Sequence, residues 1–122
     1  MRILPLVFLI IANTAIADPA VIEAVKGTRS GDSWRFDVTL SHPDTGWDDY
    51  ADGWRVLDMD GNVLGTRVLH HPHVNEQPFT RSLSGVEIPS SLDQVQIESK
   101  ESVGGWGGER VTLDLDNPTY AR

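Results

Sequence analysis

The fold class that this sequence predicts is all-β: a seven-stranded antiparallel sandwich, with a small closed barrel as the alternative. Three observations carry it. Apolar side chains recur with period two in short segments, the spacing at which a strand turns one face to a core. Turn-forming Gly, Pro, Asn and Asp residues separate those segments at short, regular intervals. No stretch carries an apolar stripe of helical period long enough to be a stable helix.

Taken in order, residues 20–26 give the first and weakest strand. It is the one segment with a rival helical reading, which Gly27 and Gly31 cut short. The second is the clearest: Trp34, Phe36, Val38 and Leu40 alternate with Arg35, Asp37, Thr39 and Ser41. Residues 53–58 follow, with Trp54 and Val56 on one face, and Asp60-Gly61-Asn62 turns the chain into residues 63–69 as a hairpin. Phe79, Arg81 and Leu83 open a fifth strand that Gly85 interrupts before Val86 and Ile88. Residues 94–101 place Val95 and Ile97 inward, and Val111, Leu113 and Leu115 alternate in the last strand.

Composition narrows the function classes. At 39% hydrophobic and 23% charged, the chain has the balance of a folded domain, which excludes a disordered tail. Ten basic against eighteen acidic residues give −8, a poor match to nucleic acid, whose phosphates are bound by Lys and Arg. The 122 residues contain no cysteine, so disulfides, thiol nucleophiles, thiolate-held metals and lipid-modified cysteine are excluded from them. No apolar run reaches the roughly 18 residues of a membrane-spanning helix.

The beginning of the chain reads as an export address rather than as a buried first element. Met1-Arg2-Ile3 is a short positive start, residues 4–12 are apolar apart from Pro5, and Ala15-Ile16-Ala17 is a small-x-small motif. The expected organisation is a cleaved leader, residues 1–17, and one domain, residues 18–122, delivered to a periplasm or to the exterior without a membrane anchor.

The second half carries a resemblance. Phe79, Leu83, Gly85, Val86, Ile88 and Pro89, then Val95 and Ile97, a Gly-rich turn, and Val111 and Leu113 resemble the last three strands of fibronectin type III and immunoglobulin-like sandwiches. Trp34 is similar to the buried Trp of fibronectin type III modules, while Gln94 or Gln96 stands where that family places a core Tyr. The resemblance implies a binding or structural module rather than an enzyme. The segment His71-Pro72-His73-Val74-Asn75-Glu76-Gln77-Pro78-Phe79 is also similar to small exported bacterial proteins of no assigned activity.

Three connections have unusual composition: residues 42–52, 70–76 and 104–108. If consecutive strands run antiparallel, these alternate connections gather at one pole of the sandwich and the plain turns at the other. Trp47, Tyr50 and Trp106 are then candidate ligand-binding aromatics. His71 and His73, two apart and so on one side of an extended backbone, can form a Zn²⁺ or Cu²⁺ site with Glu76 and His42. Against this stands the reading of these histidines as ordinary strand-end residues bonded to backbone, which requires no cofactor. Asp44, Asp48, Asp49 and Asp52 suggest Ca²⁺ more weakly, because no calcium-loop pattern fits them. No Gly-x-Ser-x-Gly elbow or acid–base spacing points to catalysis. The sequence therefore predicts a non-enzymatic exported module that binds a protein or small ligand at one pole. Metal sequestration by residues 70–73 and a structural assembly subunit are the alternatives.

Overall fold

The computed structural model describes residues 3–5 and 17–122, and every regular element among them is a strand. The expected leader falls, but for residues 3–5 and 17, outside the described residues. The strands are β1 (Val21–Ser30), β2 (Ser33–Ser41), β3 (Ala51–Leu57), β4 (Val63–Val68), β5 (Phe79–Glu87), β6 (Gln94–Glu101), β7 (Gly105–Asp114) and β8 (Thr119–Ala121). They form two four-stranded antiparallel sheets, ordered β5-β2-β1-β8 and β4-β3-β6-β7. The sheets are separate rather than closed into a barrel.

The period-two reading holds where one face is buried. Trp34, Phe36, Val38 and Leu40 of β2 meet Trp54 and Val56 of β3 and Val95 and Ile97 of β6 in one apolar cluster. Trp34 and Phe36 stack with centroids 6.0 Å apart, and Trp54 is wholly buried. Burying such a side chain contributes about 1.5–3 kcal/mol, so the facing strands of the two sheets hold the fold without covalent staples.

Three expectations need correction. The strands number eight, because Thr119–Ala121 pairs with β1 beside Lys26, Val25 and Ala24. Three residues with one half-buried apolar ring, Tyr120, carry no periodic signal. The pairing is instead prepared by Gly27, whose N–H donates to the Pro118 carbonyl at 2.7 Å; a Cβ there would meet Pro118 Cβ at 2.9 Å. The first strand runs on to Ser30, since Gly27 continues the ladder opposite Phe36. Gly85 interrupts β5 as expected: at φ +72° it sits where the strand slips register between Trp34 and Phe36, as a bulge. Residues 105–108 are strand rather than loop, Trp106 lying opposite Lys100.

The up-and-down course sends β2, β4 and β6 toward the same end, where β3, β5 and β7 begin. The connections 42–50, 69–78 and 102–104 therefore share one pole, as the alternation of direction requires. The Asp58–Asn62 turn lies at the other, with Asp58 Oδ1 accepting the N–H groups of Asp60 at 2.9 Å and Asn62 at 2.8 Å.

Candidate functional site

The centre of the pole is Asp44, a buried carboxylate on the connection after β2. Its Oδ1 accepts His42 Nδ1–H at 2.7 Å and the Ala51 N–H at 2.9 Å, while Oδ2 accepts the His73 N–H at 2.8 Å. One side chain thus ties together the end of β2, the start of β3 and the connection before β5. The lacing continues through Gln77, whose Oε1 accepts the His42 N–H and whose Nε2 donates to the His73 carbonyl, both at 3.0 Å. Tyr50 and Ser102 close the third side: Ser102 N–H donates to the Tyr50 carbonyl at 2.8 Å, and Tyr50 N–H to Ser102 Oγ at 3.0 Å.

Because both Asp44 oxygens already accept backbone N–H groups, Asp44 offers His42 an acceptor only, which puts the His42 proton on Nδ1. The other ring nitrogen, Nε2, then turns toward oxygens: the Asp18 carbonyl at 3.1 Å and Asp49 Oδ1 at 3.7 Å. A ligand atom of Glu101 joins them, all three side chains presenting donors within 4.8 Å of one another. His42 and Glu101 are buried, Asp49 partly so. Glu101 is held from behind by the N–H groups of Val103, at 2.8 Å, and Gly104. A Cβ at Gly104 would collide with Glu101 Oε1, so glycine permits this close approach of backbone to carboxylate. Asp49 Oδ1 is buried with no hydrogen-bond donor.

The expected quartet of His71, His73, Glu76 and His42 does not converge. Arg81 donates to His73 Nε2 at 2.9 Å and also to Glu76 at 3.2 Å, so both candidate ligands are engaged by a cation. The His73 ring lies flat on Phe79, centroids 4.0 Å apart, and His71 meets its edge at 5.1 Å. Burial, then the Arg81 charge and then His71, push the His73 imidazolium form down, holding its pKa below the ordinary value. His42 belongs instead with Asp49 and Glu101. Of these, Glu101 was missed by sequence reasoning although its strand gave the sign: Val95 and Ile97 face inward, and period two carries that face on to residue 101.

The aromatic candidates separate too. Trp47 is 68% exposed at the tip of the tight turn closed by Thr45 and Asp49, with its ring edge-on to Tyr50 at 5.8 Å. Trp106, half-buried, lies on the outer face of the second sheet. Its ring is 3.6 Å from where a Cβ of Gly53 would be, and the Arg55 guanidinium lies over it at 4.0 Å. Arg55 in turn donates to buried Glu98 at 2.9 Å, which Arg110 grips from the other side. That ladder is a built sheet surface rather than a loop platform.

No family model matches the chain, and no solved structure matches it. A protein of Halomicrobium mukohataei named "Putative lipoprotein" is 35% identical over 97 residues, which cover 80% of this chain and 47% of that protein. The chain therefore spans about half the length of the curated relative it matches.

Proposed function

We propose that the chain is an exported, non-enzymatic β-sandwich module that recognises a partner through the pole formed by residues 42–50, 69–78 and 102–104. The observation that carries this reading is the exposure of one large apolar side chain on each of the three connections: Trp47 at 68%, Val74 at 50% and Val103 at 53%. An exposed Trp on a turn is an anchor waiting for a cover, since aromatic rings supply much of the energy of interfaces. The bonds of Asp44, Gln77 and Ser102 hold those connections in fixed relation, so little ordering entropy is lost on contact. Trp106 is occupied by Arg55, and contact falls to Trp47 backed by Tyr50.

Export is supported by the basic, apolar and small-residue pattern of residues 1–17 and by the name of the relative. These 122 residues hold no cysteine, so none of them can carry a cysteine-linked lipid. An immunoglobulin-like ancestry is supported by strand neighbours: β1, β2 and β5 adjoin as A, B and E do, and β3, β6 and β7 as C, F and G do, with β4 and β8 added at opposite edges.

The test places a photoactivatable phenylalanine analogue at position 47 and, separately, at position 59 on the opposite turn, in the cell that produces the protein. One discrete crosslinked adduct from position 47 and none from position 59 is the expected result. Equal adducts from both positions, or none from position 47, overturn the proposal.

A further inference from the structure

We infer that His42, Asp49 and Glu101 form a binding site for a divalent transition-metal ion, with the Asp18 carbonyl as a fourth donor. Acceptors without matching donors meet at His42. His42 Nε2, on a side chain with no exposed surface, faces the Asp18 carbonyl at 3.1 Å and Asp49 Oδ1 at 3.7 Å. Asp49 Oδ1 is itself buried without a donor. Among the described residues no Lys or Arg pairs with Asp44, Asp49 or Glu101; the basic side chains nearby are engaged elsewhere, Lys100 on Asp52 at 2.6 Å and Arg81 on Glu76 and His73. Two carboxylates, Asp49 and Glu101, and the Asp18 carbonyl gathered at the Nε2 side of one imidazole, with no Lys or Arg among them, are the donor set of a metal ion.

The arrangement has the surroundings of such a site as well as its donors. Asp44 accepts the Nδ1 proton at 2.7 Å and so fixes both the tautomer and the orientation of His42. The backbone N–H groups of Val103 and Gly104 orient Glu101 and leave each of its oxygens a second lone pair. Around an ion with bonds of about 2.0–2.1 Å, tetrahedral ligand atoms lie about 3.4 Å apart. The His42–Asp49 separation of 3.7 Å is near that value, and the outer limit of 4.8 Å for the set closes by a movement of at most about 1.4 Å. Asp49, 37% exposed on a turn, is the least confined of the three side chains. One imidazole nitrogen with oxygen ligands suits Zn²⁺ and fails the thiolate and thioether demands of Cu⁺.

The experiment titrates chelator-treated, full-length protein with Zn²⁺ by calorimetry, and follows the four imidazoles by NMR in the same titration. Saturable one-to-one binding that shifts the His42 ring nitrogens is expected. Asp49→Asn, at a partly exposed position, weakens binding by at least 10-fold, and so does Glu101→Gln. His71→Ala leaves the affinity unchanged. Absence of saturable binding, or loss of affinity in His71→Ala with Asp49→Asn unaffected, overturns the assignment, as does a perturbation centred on His71 and His73.

Discussion

Asp44→Asn isolates the contribution of the polar centre of the pole, because the substitution changes hydrogen-bond chemistry with almost no change of shape. Asp44 Oδ1 receives two donors and Oδ2 one. Whichever way an amide turned, at least one buried N–H would lose its acceptor and meet another donor. A bond to an ionised acceptor contributes about 1.5–3 kcal/mol, and the same loss seen as an unpaired buried donor costs about 1–3 kcal/mol. The expected destabilisation is therefore about 2–3 kcal/mol for Asn, and about 4–5 kcal/mol for Ala, which leaves three donors unpaired at once. In a domain of about 100 residues, 1 kcal/mol moves Tm by about 4–8 °C, so Asp44→Asn lowers it by about 10–20 °C. Urea unfolding followed by the emission of buried Trp54 and Trp34 reads the effect as a lower midpoint at unchanged slope. Asp48→Asn, on the same connection but exposed, is the control and stays within about 0.5 kcal/mol of wild type. If Asp44→Asn behaves like that control, the bonds at Asp44 do not hold the pole together, and the account of a rigid recognition surface fails with them.

Other perturbations follow from the same geometry. His73 is held neutral in the fold, so the unfolded chain takes up more protons as pH falls below about 6.5. Its contribution is full above that value and is lost as pH drops toward the folded-state pKa; the urea midpoint falls between pH 7 and pH 5, and His73→Phe flattens that slope. Trp54 is wholly buried, and its Nε1–H has no acceptor. Trp54→Phe therefore loses volume but also removes an unpaired donor, and the net cost in urea is about 1 kcal/mol, against about 3–5 kcal/mol for Trp54→Ala. Gly85→Ala forces a side chain to φ +72° and costs about 1–2 kcal/mol by thermal unfolding, although nothing lies within 4 Å to clash with it.

The legible part of the fold is the part where burial is one-sided. β2 and β6 alternate because one face of each meets the core, and the Asp60-Gly61-Asn62 turn announces its hairpin by its own chemistry. β8 was not legible, because its pairing depends on Gly27 admitting Pro118, a contact between residues far apart in the chain. The start of β7 was hidden by its glycines. Gly105 and Gly107 take positive φ within a strand, a conformation that composition alone reads as loop. The pole itself followed from strand direction, but the site within it did not. The His71-Pro72-His73 spacing suggested a pair of ligands, yet Arg81, eight residues beyond His73, occupies one of them. Glu101 entered only as the last residue of a strand, and Asp44 was one of four aspartates on a single connection until tertiary structure gave it three donors.

Asp49 and Trp47 stand two residues apart in one tight turn, closed by the Thr45 N–H to the Asp49 carbonyl at 2.9 Å and by the Asp49 N–H to the Gly46 carbonyl at 3.2 Å. An ion held by the Asp49 carboxylate fixes one end of that turn, and so bears on how Trp47 is presented. Binding at the two places is then linked, and linkage is reciprocal: whatever factor the ion contributes to recognition at Trp47, recognition contributes to the ion. The coupling is measurable before any partner is known. Zn²⁺ changes the tryptophan emission of the wild-type protein, and the change disappears in Trp47→Phe and in Asp49→Asn alike. An emission change that survives Trp47→Phe comes from Trp34, Trp54 or Trp106, and in that case the turn does not transmit the occupancy of the metal site to the recognition tip.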